Sequence, residues 1–219
     1  MDDISRVTRS KEAARTSYDR MSRWYDGFAG SEKKFADIGL AMLDIQPGEQ
    51  VLEIGFGTGY ALVHLAEAVG DSGKVHGIDI SEGMRRVAEG RLSRAGLGQR
   101  VELRLGDASS LPYPDQFFDA VFMCFTLELF DTPEIPVLLE ECKRVLKIGG
   151  GLCVVSLMKE DSWIVRLYEW FHLRMPEMVD CRPIHPGQAL ESRGFAIREA
   201  VVKRMWGLPV QSVIGMKVV

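Results

Sequence analysis

Short runs of β-branched and aromatic residues alternate along most of the chain with stretches in which apolar positions recur every three or four residues. The first pattern predicts buried strands and the second amphipathic helices. Strands are expected at Gln50 to Ile54, Lys74 to Ile78, Val101 to Leu105, Phe118 to Met123 and Gly151 to Leu157. Helical patterns at Tyr60 to Val69, Glu82 to Ala95 and Pro133 to Leu146 fall among them. The last is the clearest: Ile135, Leu138, Leu139, Cys142, Val145 and Leu146 share one face, Thr132 can cap it, Pro133 suits its first position and Gly149 to Gly151 stops it. Such alternation specifies an α/β fold, a parallel sheet with helices on both faces.

Beyond the fifth strand the pattern gives an amphipathic stretch from Asp161 to Met175, a short helix at Pro186 to Ser192, and strands at Ala196 to Arg204 and Val210 to Val218. The five residues between those strands are too few for a parallel crossover, so the final pair is an antiparallel hairpin on a seven-stranded, mostly parallel sheet. Two helices, Arg9 to Tyr25 and Lys33 to Leu43, precede the first strand and must pack across the sheet or over its open end. With 219 residues the chain holds one domain: a helical cover over 1–46, a ligand-binding core over 47–157, and a substrate-side insert with the terminal hairpin over 158–219.

Composition changes this picture little. A hydrophobic share of 46% and a charged share of 26% are those of an ordinary soluble domain. A net charge of -4 gives no field to hold nucleic-acid phosphates, and nucleic acid is set aside as a partner. Cys124, Cys142, Cys153 and Cys181 are too widely spaced for a zinc site and read as reduced thiols; no metal is expected. Neither a signal peptide between Met1 and Lys11 nor a membrane-spanning run is seen, and a cytoplasmic location is expected.

The run Val51-Leu52-Glu53-Ile54-Gly55-Phe56-Gly57-Thr58-Gly59 sets a buried strand directly before a glycine-rich turn and a helix, the context in which backbone approaches a nucleotide closely. Asp79 ends the second strand twenty positions after Gly59, where a carboxylate accepts from both ribose hydroxyls. Gly106-Asp107-Ala108 ends the third, where an aspartate can reach an adenine amino group and Ala108 leaves room for the ring. A dinucleotide loop would need a third glycine where Tyr60 stands, and a pyrophosphate would meet Glu53. S-adenosylmethionine has no phosphate and carries two cationic groups, which an acidic residue beside the loop favours.

Glu53 to Gly59, Gly77-Ile78-Asp79-Ile80-Ser81 and Gly106-Asp107-Ala108 resemble the cofactor motifs of the class I, Rossmann-like S-adenosylmethionine-dependent methyltransferases. Leu111-Pro112-Tyr113-Pro114-Asp115 through Phe117-Phe118-Asp119-Ala120-Val121 is similar to the loop and fourth strand of the subgroup containing the ubiquinone and menaquinone C-methyltransferases. Leu146-Lys147-Ile148-Gly149-Gly150-Gly151 matches their post-helix turn, with Ile148 for the usual proline. The resemblance implies contacts to S-adenosylmethionine from Glu53, Gly55, Gly57, Thr58, Gly59, Asp79, Ile80, Met84, Asp107, Ala108 and the backbone near Phe125. It also implies that Tyr25, in the segment Trp24-Tyr25-Asp26, covers the methionine end, the alternative being a core contact of the first helix. Phe56 either walls the methyl-transfer site or packs under the loop.

Methyl transfer needs alignment and exclusion of water, and a base only where the acceptor must lose a proton. Base candidates are His172, His185, Glu128 and Asp131, against the alternatives of satisfied surface histidines and, for Asp131, a turn before Thr132. Trp163, Leu167, Trp170 and Phe171 fall on one helical face, which reads either as core or as the wall of an acceptor site completed by Met158, Met175, Met178 and Trp206. The second reading favours a small lipophilic or aromatic acceptor, a quinol-like ring or a thiol. Transient contact with a membrane surface is a further reading, although Glu169 and Asp161 leave the polar face without a strong basic bias. A non-catalytic S-adenosylmethionine-binding protein and a methyltransferase of lipids or macromolecules are the alternatives; oligomeric state is open.

Overall fold

The computed structural model describes residues 4–7, 9–22, 24–175 and 179–218. Strands β1 Gln50–Ile54, β2 Lys74–Asp79, β3 Val101–Leu105, β4 Phe118–Cys124, β5 Leu146–Leu157, β6 Phe195–Met205 and β7 Leu208–Lys217 form one sheet in the order β3-β2-β1-β4-β5-β7-β6. Neighbours from β3 to β5 run parallel, and β7 is antiparallel to both β5 and β6. Trp206 and Gly207, with φ of 52° and 89°, make the reversal between β6 and β7, the left-handed pair that a two-residue hairpin turn requires.

Helices α1 Lys11–Met21, α2 Tyr25–Phe28, α3 Lys33–Leu43, α4 Tyr60–Ala68, α5 Glu82–Ala95, α6 Glu134–Val145, α7 Trp163–Arg174 and α8 Pro186–Ser192 complete the fold. One apolar core joins α3, α4 and α5 to the sheet through Phe35, Leu62, Leu65, Ala88 and Leu92. A second joins α6 and α8 to the other face through Leu138, Leu139, Ala189 and Leu190. Because both faces are covered, Val51 to Ile54 of β1 are buried without alternation. The strand order reverses between β1 and β4, and the carboxyl ends of β1 to β4 open together at that point.

Three local expectations are corrected. The helix expected over Arg9 to Tyr25 begins after Ser10, whose Oγ accepts from Ala13 N at 3.2 Å, and ends at Met21, beside Ser22, whose Oγ donates to Asp19 O at 3.0 Å. Thr132 does not cap α6: its Oγ1 accepts from Arg182 Nη1 at 3.0 Å, while Glu134 and Asp131 satisfy each other's backbone N–H groups. Nor do the glycines stop α6, which ends at Val145 because buried Leu146 already pairs with Phe118. The chain then bulges and regains register at Gly151 opposite Ala120.

Candidate active site

The turn after β1 is held by Gly55 N donating to Ile78 O and Gly59 N donating to Phe56 O, each at 2.8 Å. Two of its glycines serve different ends. Gly57 has φ of 50° and lies on a cavity wall, where an added Cβ would meet no protein atom within 4 Å. At Gly59 an added Cβ would stand 2.8 Å from Ala88 Cβ, so this glycine lets α4 and α5 approach. Asp79 ties the turn to β2, accepting from Gly57 N at 2.9 Å and from Ser81 N at 2.8 Å. Burial raises its pKa, and these N–H groups oppose the rise.

A cavity of about 580 Å³ lies over the carboxyl ends of β1 to β4. Gly55, Gly57, Asp79, Ile80 and Met84 form part of its wall, with Ala108 towards β3 and Phe125 towards β4. The helical N-terminus closes it from above: Lys11, Ala14 and Tyr18 of α1 and Tyr25 of α2 also line it. Asp19 holds α1 down, accepting from Ser81 Oγ at 2.7 Å and Gly83 N at 2.8 Å.

Family comparison agrees with this geometry. The methyltransferase domain model matches residues 51–150. The chain is 30% identical over 190 residues to the demethylmenaquinone methyltransferase of Symbiobacterium thermophilum, covering 79% of this chain and 75% of that protein. It is 38% identical over 169 residues to that of Geobacillus stearothermophilus, covering 77% and 70%. Among solved structures, a SAM dependent methyltransferase from Aquifex aeolicus superposes with a TM-score of 0.68 at 25% identity, over 91% of this chain and 98% of that one.

The chain is an S-adenosylmethionine-dependent methyltransferase.

In this methyltransferase several of the expected cofactor residues stand behind the cavity wall. Phe56 is buried in the core under the loop, against the position of Gly77, and does not wall the site. Thr58 is buried in the turn. Glu53 is buried beside Asp79 with no partner for Oε2 among the described residues; burial, reinforced by Asp79, pushes its pKa well up. Asp107, between the lining residues Gly106 and Ala108, accepts from Lys11 Nζ at 2.6 Å through Oδ2 and from Ser109 N at 2.9 Å through Oδ1. Burial would raise its pKa, but the Lys11 and Ser109 bonds outweigh that and hold it low. Lys11 also meets Glu134 at 2.6 Å, joining α1 to α6 across the β3 end of the cavity.

The β4 end is polar. Tyr18 donates to Asp180 through its hydroxyl, Tyr25 packs edge-on against Tyr18 with ring centroids 6.5 Å apart, and both line the cavity with Cys124, His172 and Asp180. His172 is buried on the inner side of α7, its Nδ1 2.7 Å from Val179 O. A carbonyl can only accept, so Nδ1 carries the hydrogen and Nε2 is the basic nitrogen of the neutral ring. Glu32, raised to about 7 by burial and by Asp180, accepts from Tyr25.

Of the other base candidates Asp131 lines the same cavity, whereas His185 and Glu128 do not. Asp131 is a tether: it takes Arg6 on both carboxylate oxygens and accepts from Val7 N at 3.0 Å, and the Arg6 bonds hold its pKa well below the carboxylate range. His185 stands at the start of α8, away from the cavity lining. Glu128 is fully buried behind the wall, where burial raises it to about 8 although Leu157 N and Ser156 donate to it. The expected aromatic acceptor wall is reversed. Trp163, Trp170 and Phe171 point outward from α7 and Trp206 outward from the hairpin turn; all four are exposed, as is Met175. Val165 and His172 face in. Met158 pairs by backbone with Ile184, and Met178 lies outside the described residues.

Sequence reading missed Lys11 and Arg182. The latter is wholly buried and donates to Glu128 O at 3.1 Å, Phe130 O at 2.5 Å, Thr132 Oγ1 and Ser5 O, clasping the loop after β4 to the N-terminal strap. Burial lowers its pKa.

Proposed function

We propose that the enzyme methylates a small, lipophilic, quinol-type ring whose hydroxyl is deprotonated by His172. The reading rests on one observation: a single cavity runs from the β3 strand end, where Ala108 is small, to the β4 end, at which His172 shares the wall with Tyr18, Tyr25 and Asp180. Relatives named demethylmenaquinone methyltransferase and 2-phytyl-1,4-naphtoquinone methyltransferase support the same acceptor class.

The residues fit S-adenosylmethionine. Gly57 leaves open space on the wall, and Asp79 stands at the strand end where ribose hydroxyls are read. Ile80, Met84 and Ala108 would hold the adenine by packing, and Tyr25 and the backbone at Phe125 the methionine end. The bound cofactor supplies an electrophilic methyl group on a sulfonium. The chain aligns the acceptor, excludes water beneath α1 and α2, and takes the hydroxyl proton at His172 Nε2, which raises electron density on the ring. Residues 158–219 act as the acceptor-side cover.

Turnover with a prenylated hydroquinone, followed as S-adenosylhomocysteine, tests the proposal. Methylated hydroquinone, with apolar acceptors preferred over polar analogues of the same ring, is expected. Turnover confined to protein or nucleic-acid acceptors would overturn it.

A further inference from the structure

Helix α7 is apolar on almost every side. Its inner arc, Ile164, Val165 and Tyr168, packs on the core, yet its outer arc carries Trp163, Leu167, Trp170, Phe171 and Leu173. A surface helix ordinarily turns charge outward. Here Trp163 is 75% and Trp170 50% exposed, and Trp206 at the β6–β7 turn is 74% exposed. The two elements meet: an added Cβ at Gly207 would stand 2.6 Å from Ile164 Cδ1, and Arg204 reaches Glu160 at 3.0 Å. The tryptophans therefore belong to one region of the surface.

Its charges decide what covers it. In residues 158–175 and 203–207 five bases, Lys159, Arg166, Arg174, Lys203 and Arg204, stand against three acids. Each acid is already paired, Asp161 with Arg166 at 2.5 Å, Glu160 with Arg204, and Glu169 with Lys159 at 2.9 Å. Among the described residues of these segments Arg174, stacked over Trp170 at 5.2 Å, and exposed Lys203 are the surplus. An apolar arc with bare tryptophans and surplus cations suits the headgroup level of an anionic bilayer, where indole rings sit with their N–H groups wet. A second copy of this chain would bring the same surplus cations face to face.

We infer that the outer face of α7, with the β6–β7 turn, docks the enzyme on an anionic lipid surface. The inference draws on the proposed lipophilic acceptor for its purpose: the inner face of the same helix places His172 on the cavity wall, so docking would set the acceptor end of the cavity beside the bilayer.

The test uses the full-length enzyme with phosphatidylglycerol–phosphatidylcholine vesicles and no acceptor, so a wrong acceptor does not affect it. Co-sedimentation and a blue shift of tryptophan emission are expected. The triple variant Trp163→Ser, Trp170→Ser, Trp206→Ser should keep its melting temperature and cofactor affinity while partitioning falls on the order of ten-fold or more. Arg174→Glu with Lys203→Glu should weaken binding to the mixed vesicles and leave the weaker binding to pure phosphatidylcholine unchanged. No vesicle binding by the wild type, or equal binding by the triple variant, overturns the inference. Concentration-dependent dimerisation abolished by the triple variant, without vesicle binding, assigns the face to a second copy and also overturns it.

Discussion

The two ends of the cavity are built by different means. At β1 and β2 the wall is backbone, Gly55 and Gly57 with the Asp79 carboxylate bonded to two N–H groups, so a few consecutive residues fix its shape. At β4 it is assembled from distant segments: Tyr18 and Tyr25 before the sheet, Cys124 at a strand end, His172 and Asp180 near the C-terminal third. The joints of this second end are single side chains, above all Arg182. A backbone-built end tolerates little change and can be conserved by a short motif, whereas a side-chain-built end can change acceptor without disturbing the fold.

If the contrast is right, Gly57→Val should be the most severe single change for ligand binding, lowering cofactor affinity roughly 1,000-fold, about 4 kcal/mol. The protein should still fold with a lowered melting temperature: no protein atom occupies the space the side chain enters, but a β-branched residue at φ of 50° is strained. Calorimetric titration beside a thermal melt checks both parts, and normal binding would show that the loop is only a turn.

At the other end, Arg182→Met removes donors from three carbonyls and a hydroxyl. A loss of about 3 kcal/mol is expected, seen as a fall in melting temperature of roughly 6 to 12 °C. An unchanged melt would mean that the clasp is not what orders this end.

A more gradual effect separates the ends by pH. Glu128, raised to about 8 by burial, keeps its proton in the folded protein, while the unfolded chain releases it near its ordinary 4.5. Its contribution to stability is therefore fully present below pH 4.5 and is lost as pH rises towards 8. Glu128→Gln should flatten the decline in denaturant unfolding by on the order of 1 kcal/mol for each pH unit of that window. The same slope in wild type and variant would refute the assignment.

The same division explains what the sequence disclosed. The β1 loop, Asp79 and the helix that follows are local patterns, and their strand bounds were legible to within a residue or two. Spacing alone also grouped Trp163, Trp170 and Phe171 on one face of α7, but with apolar residues all round the helix it could not say which face met the core. His172 and Tyr168 mark the inner face, and neither is hydrophobic enough to outvote three large aromatics. Arg182 sits in an aperiodic loop, and its partners lie more than 49 positions away, at Ser5, Glu128, Phe130 and Thr132. The one available signal was a basic residue flanked by Cys181, Pro183 and Ile184 in an otherwise apolar run.

The central claim, that the β4 end handles the acceptor proton through His172, is tested most directly by His172→Gln with a series of hydroquinones of graded acidity. The account predicts unchanged cofactor affinity, kcat lower by roughly 10²- to 10³-fold with the weakly acidic acceptors, and a progressively smaller loss as the acceptor ionises without help. A uniform loss across the series, or full activity with all of them, would contradict it.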